Sequence, residues 1–157
     1  LDLAGMPKNE SGYCLLDVDV KKVVKCRVLH SDEDILAELK SSKPDLVAID
    51  APLTYDGRNR RCDELLREYG ALPVTLRGME TLAKRGSALA KLIESAGFKP
   101  LEVYSRASAR ILGVYHKDDF TMQKSMMGLD IEGDVNMRLL SRDELDAVLA
   151  ALTGYLH

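Results

Sequence analysis

Residues 45–50 read DLVAID, a run that is apolar through Leu46, Val47, Ala48 and Ile49 and carries an acid at each end. A nearly continuous apolar run of this length suits a parallel strand covered on both faces; a half-exposed antiparallel strand would alternate. Pro52 stops the run at once. A buried parallel strand in mid-chain needs crossover helices, so the class expected is α/β. Upstream, Ser31 is placed to cap a helix whose Ile35, Leu36 and Leu39 share one face. Asp32, Glu33 and Asp34 fill its first turn, and it is expected to end near Ser42, before Pro44. Further upstream, Tyr13–Val18 and the alternating Val24–Val28 read as two strands joined by a turn at 19–22. The opening LDLAG reads as part of a first strand; with no initiator Met, only part of that strand is expected to be seen.

Downstream, helices are expected over 61–69, with Gly70 as terminator, and over about 79–96, with Gly97 as terminator. LEVYS at 101–105 is the fifth strand candidate, followed by a short helix over about 107–112. The polar, Met-rich stretch 116–137 carries no clear period, and its methionines are expected to fill gaps in the core. The last helix starts firmly at SRDELDAVLAALTGYLH, 141–157: Ser141 and Glu144 form a capping-box pattern, and Leu140 with Leu145 fit a hydrophobic staple. The resulting order, β-β-β-α-β-(α)-β-α, describes an antiparallel meander continued by crossovers into a mixed sheet flanked by helices.

At 157 residues the chain fits one domain. No apolar stretch approaches the roughly 18 residues of a membrane span, and no signal peptide is read. Cys14, Cys26 and Cys62 are odd in number and lack metal-ligand spacing, which points to reduced thiols in a cytoplasmic protein. A net charge of −3 argues against a broad nucleic-acid-coating surface. The average conceals a gradient: residues 58–91 hold eight Lys or Arg against four Asp or Glu, and residues 116–157 four against eight, so the basic middle matters only if it lies beside an acidic site.

The acids are the chemically informative residues. Asp143 and Asp146 lie one turn apart near the start of the last helix, on a line continued by Ala150 and Gly154 beside the apolar stripe Leu145, Leu149, Leu152 and Leu156. Such a line lets a helix approach a sheet closely and presents both acids at its edge. An acid in a first helical turn is also favourable in itself, which accounts for Asp143 better than for Asp146. Asp50 closes a hydrophobic strand, where α/β sheets build sites and where turn residues are also commonplace. Asp2 sits among Leu1, Leu3 and Ala4, so burying it needs a partner or a cation; Glu102 poses the same problem more weakly. Asp2, Asp50, Asp143 and Asp146, on two strands and one helix, form an all-oxygen donor set for Mg²⁺ or Mn²⁺. Two such ions roughly 3.5–4 Å apart would serve phosphodiester cleavage, with the acids as ligands and not proton shuttles. His30, His116 and His157 stand alone and read as surface residues.

LDLAG, LVAIDAPL, RRCDELLREYG, the Arg85-Gly86 pair, LEVYS and DELDAVLAALTG, in that order, resemble the predicted RNase H-like nuclease family known as domain of unknown function 429. The likeness spans nearly the whole chain. The D-x-x-D-A pattern of Asp143, Asp146 and Ala147 is also similar to the last motif of RuvC-type Holliday-junction resolvases. The resemblance implies an RNase H-like five-stranded mixed sheet of order 3-2-1-4-5, which would set Asp2 beside Asp50. It implies Asp2, Asp50 and Asp146 as metal ligands, Asp143 next, and Glu102 as a further catalytic candidate. Arg60, Arg61 and Arg85 would contact substrate phosphate, or else form ordinary surface pairs with Glu64 or Glu68. A departure is Ser105 after Tyr104, where a Pro is expected. The function implied is a metal-dependent nuclease acting on DNA or RNA. The alternatives are a non-catalytic nucleic-acid or protein-binding module and a phosphate- or nucleotide-binding ATPase-like relative, although one domain cannot supply both halves of that last cleft.

Overall fold

Two ladders organise the chain in the computed structural model, which describes residues 1–157. Strands β1 (Ser11–Asp17) and β2 (Lys22–Leu29) form the antiparallel meander read from the sequence, with a register shift between Leu15 and Leu16. Strands β3 (Val47–Asp50) and β4 (Pro100–Val103) pair in parallel, Val47 with Pro100 through Asp50 with Val103. Between them run α1 (Asp32–Ser42), α2 (Arg61–Leu65), a 3-10 turn at Leu66–Tyr69, and α3 (Arg77–Ser95). After β4 come α4 (Ser105–Ile111), α5 (Asp119–Met126), β5 (Glu132–Gly133), α6 (Asp134–Met137) and α7 (Arg142–Leu156). The class is mixed α/β, and no helix is long and apolar enough to cross a membrane.

The sheet departs from the five strands expected. The ladders are a three-stranded one of order β1-β2-β5 and a two-stranded one, β3-β4. Residues 1–3 do not form the expected first strand, because so short a run supplies a single bridging residue. That residue is Asp2, bridged antiparallel to Gly12 on one side and parallel to Asp50 on the other. The stretch 116–137 contains β5, which no alternation announced. Gly133 adopts φ +98° and lies so close to β2 that a Cβ there would stand 2.1 Å from the Val23 carbonyl oxygen, so only glycine makes this parallel contact.

Local chemistry explains the helix ends. Ser31 Oγ accepts from the Asp34 N–H at 3.0 Å while the Ser31 N–H donates to Asp34 at 3.2 Å, a complete capping box. Ser141 and Glu144 repeat the device at α7, at 3.3 and 2.9 Å. Arg138 then clamps Glu144 at 2.6 Å, so this buried acid stays ionised: burial opposes its charge, but Arg138 and the Ser141 cap hold its carboxyl below the usual range.

Two apolar clusters cover opposite faces. On one, Leu1, Leu3, Tyr13, Ile49, Leu89 and Ile93 meet under α1 and α3; on the other, Val23, Met122, Met126, Leu145, Val148 and Leu149 meet under α7. Met126 fills the core as expected, whereas Met127 is exposed. The helix α7 lies flat on its face because small residues line the contact. Ala147 and Ala150 are fully buried, and a Cβ at Gly154 would stand 2.9 Å from that of Ala48.

Candidate functional site

Strand alternation decides which acids meet. Asp2 bridges Asp50 in register, so both side chains leave the sheet on the same face. Leu1 and Leu3 turn the other way, into the α1/α3 cluster. The face that Asp2 and Asp50 share is the one α7 covers, and α7 carries Asp143 and Asp146 in its first two turns. Gly12 sets the height of the helix above the sheet. A Cβ there would stand 1.8 Å from the Asp143 carbonyl oxygen, so the backbone of α7 rests directly on β1 beside Asp2.

Ser105 ties the arrangement together. Its N–H donates to the Asp50 carboxylate at 3.1 Å, and its hydroxyl donates to the Asp146 carbonyl oxygen at 2.9 Å. It occupies the first position of α4, where Pro is also favoured. Proline could not make either bond, which gives the serine after Tyr104 a physical role here. The sequence reading placed Ser105 at the end of a strand and missed it; a hydroxyl residue directly after a strand and before a helical run was the available signal.

Three carboxyls at this face are strained electrostatically. Burial, then Asp50, Asp146 and Asp143, push Asp2 well above the usual carboxylate range. Burial also raises Asp50, against the opposing hydrogen bonds from Ser105. Asp146 is pushed up to about 6, first by burial and then by Asp50, with Arg142 and Arg106 acting against the rise. Asp143 is raised by burial and then by Glu10 and Asp119, and it stands at the margin of the group. No protein hydrogen bond is among the main influences on Asp2 or Asp146. The oxygens of Asp2, Asp50 and Asp146 do not all fall within 4.8 Å of one another, so a shared ion would require one side chain to rotate.

The remaining predicted residues lie elsewhere. Glu102 pairs with Ile49 and so leaves the sheet on the face opposite Asp50. It accepts from the Leu53 N–H at 2.7 Å and from Arg60 at 2.7 and 2.8 Å. Arg60 also holds Asp63 at 2.6 Å. Cys62, Asp63 and Glu102 do converge within 4.8 Å, but the guanidinium of Arg60 already neutralises both carboxylates there. Arg61 is exposed and makes no ion pair. Arg85 is buried and structural: it holds Asp32 at 2.8 Å and donates at 2.7 Å to the carbonyl oxygens of both Ala4 and His30. The side-chain cations that act on Asp146 are Arg142 on α7 and Arg106, exposed on α4, neither of which the basic-segment reading singled out.

The raised acids fix the sign of the pH dependence. Between the usual value of 3.8 and about 6, folded Asp146 retains a proton that the unfolded chain has lost, so stability falls as pH rises through that window. Asp2 and Asp50 shift in the same direction and add to the loss. Glu144 is lowered and acts in the opposite sense, but at the acid edge of the window. In chelator-treated protein, the melting temperature is expected to decrease from pH 4.5 to 7.5, and Asp146→Asn to flatten the decrease. A melting temperature that rises over this range contradicts the cluster's electrostatics.

Comparison of the chain with family models, with curated proteins and with solved structures found no match.

Proposed function

We propose that Asp2, Asp50 and Asp146, with Asp143 at their margin, hold Mg²⁺ or Mn²⁺ and that the protein hydrolyses phosphodiester bonds of DNA or RNA. The observation that carries the reading is the in-register Asp2–Asp50 bridge on the face that α7 covers with Asp146. Three raised, mutually repelling carboxyls cost stability unless something cationic joins them, and an all-oxygen donor set suits a hard divalent ion. Bound there, such ions supply Lewis-acid activation of water and of the phosphoryl group, in a two-metal arrangement if both sides of the cluster are used. The chain's own residues divide the remaining work. Asp50 is oriented by Ser105, Asp146 is delivered by α7 at a height set by Gly12, and exposed Arg106 is the cation placed to meet a phosphate.

The finer fold reading belongs to the same proposal. With residues 1–3 counted as a shortened strand 1, the order β2-β1-(1–3)-β3-β4 corresponds to 3-2-1-4-5 of an RNase H-like sheet, and the double bridge at Asp2 supports that count. The wider spacing of the three carboxylates favours a second reading, a nucleic-acid-binding module without catalysis.

Divalent ion separates the two. At a hundredfold excess over its Kd, Mn²⁺ stabilises a single-site protein by about 2.7 kcal/mol. That corresponds to roughly 5–10 °C in melting temperature for a domain of this size. The shift is expected at pH 7.5 and smaller at pH 5, where Asp146 is largely protonated. Mn²⁺ that leaves the melting temperature unmoved at pH 7.5 removes the nuclease reading and leaves the binding module.

A further inference from the structure

Two of the three cysteines face each other across the hairpin of β1 and β2, where Cys14 pairs in register with Cys26. Ladder parity decides how close their side chains come. Gly12 spends both its N–H and its C=O on Asp2, at 2.9 and 2.8 Å, so Cys14, next in the alternation, also turns its backbone groups away from β2. Cys26 turns its own away from β1: its N–H donates to the Asp134 carboxylate at 3.0 Å, and its carbonyl accepts from Arg138. The two therefore form a non-hydrogen-bonded pair, the closer kind, with Cα atoms about 4.5 Å apart. A disulfide bridges Cα separations of roughly 4.4–6.8 Å, so the pair sits inside that range at its short end. Both side chains lie on the face that α7 covers, Cys26 within the apolar cluster and Cys14 half-buried at its edge. The Cys26 thiol donates to the Glu144 carbonyl oxygen at 3.6 Å. Its hydrogen-bonding contact with the Cys14 sulfur, and then burial, push the Cys26 thiol up, so it is the member that keeps its proton.

We propose that Cys14 and Cys26 form a peroxide-oxidisable dithiol, with Cys14 as the entry point and Cys26 as the resolving thiol of a reversible cross-strand disulfide. Half-buried Cys14 is the sulfur that a small hydroperoxide reaches. As the thiolate it attacks one peroxide oxygen; the O–O bond breaks, the departing oxygen leaves as water with the thiol's proton, and Cys14 becomes a sulfenic acid. The Cys26 sulfur then attacks that of Cys14. The S–S bond forms, the S–O bond breaks, and hydroxide leaves as a second water with the Cys26 proton. Two thiols have then given two electrons and two protons to one peroxide, and a dithiol reductant restores them by exchange. Oxidation removes the S–H that Cys26 donates to Glu144, so this tie between β2 and α7 exists only in the reduced form.

The test uses the 157-residue chain carrying Cys62→Ala, which removes the exposed thiol on α2. Folded protein is treated with hydrogen peroxide, unfolded in urea with iodoacetamide to block remaining thiols, and read by intact mass and peptide mapping. The expected product has lost two hydrogens, takes up no iodoacetamide and carries one intramolecular Cys14–Cys26 link that dithiothreitol reverses. With Cys26→Ala added, Cys14 is expected to stop at a sulfenic acid that dimedone traps, at about tenfold or more the level trapped on Cys26 when Cys14→Ala is added instead. Both thiols still open to iodoacetamide after peroxide, or links formed only between molecules, overturn the disulfide. Equal trapping on the two sulfurs overturns the assignment of entry and resolving roles. Should either added substitution prevent folding, the mass of the Cys62→Ala protein still decides the bond. Neither metal nor cleavage enters the readout, so the outcome is independent of the nuclease reading.

Discussion

Asp146→Asn is expected to remove divalent-metal-dependent cleavage by at least about 100-fold, the scale on which even an outer partner of a metal ligand acts. The same substitution should leave the protein at least as stable as its parent at pH 7. Asparagine keeps the shape of the side chain, and no protein hydrogen bond among the main influences on Asp146 is lost. What disappears is a carboxylate whose ionisation burial and Asp50 resist. Above pH 6 the parent bears that cost and the variant does not. The gain is on the order of 1–2 kcal/mol once solvent screening of a half-buried group is allowed for. Activity and stability thus move in opposite directions, whereas a structural acid would lose both. Denaturant unfolding and a cleavage assay on the same preparations measure the pair, and parent-level cleavage by the variant would place the chemistry elsewhere.

Gly12→Val is the second large effect. Its Cβ would stand 1.8 Å from the Asp143 carbonyl oxygen and 2.3 Å from the carbonyl carbon, both backbone atoms that cannot swing aside. Either α7 lifts from β1 or β1 bends away from Asp2, and each outcome separates Asp146 from the Asp2–Asp50 pair. Overpacking of this kind costs about 3 kcal/mol. Urea unfolding should show that loss together with weakened Mn²⁺ stabilisation. Gly78→Ala is the matched control: it lies in α3 with nothing within 4 Å of a Cβ, and helix propensity alone should make it neutral to about 1 kcal/mol stabilising. A Gly12→Val protein as stable as the Gly78→Ala protein would show that α7 does not rest where its close approach demands.

Local signals were legible where the chain punctuates itself. Ser31 and Ser141 were readable as caps because a hydroxyl followed three residues later by an acid satisfies helix N–H groups by itself, without tertiary help. The parallel strand at 47–50 was readable because burial on both faces leaves no polar position until Asp50. Asp2 and Asp50 could be suspected from the same rule. Contacts made by backbone approach were not legible. β5 exists because Gly133 touches Val23, and Ser105 matters because of where α7 and β3 bring Asp146 and Asp50, relations that no spacing along the chain encodes. Arg85 and Glu102 misled for a related reason. Their charge is visible in the sequence, but their partners, Asp32 and Arg60, are assigned only by the tertiary fold.

The order in which the acids occur has a temporal side. Asp2 and Asp50 leave the ribosome before Asp146, which follows Asp50 by 96 residues (146 − 50). At about 5–20 residues per second, the delay is on the order of 5–20 s. On the proposed reading, a nascent chain carries only part of its ion-binding set while its own messenger is still threaded beside it, and cutting competence arrives when the closing helix docks.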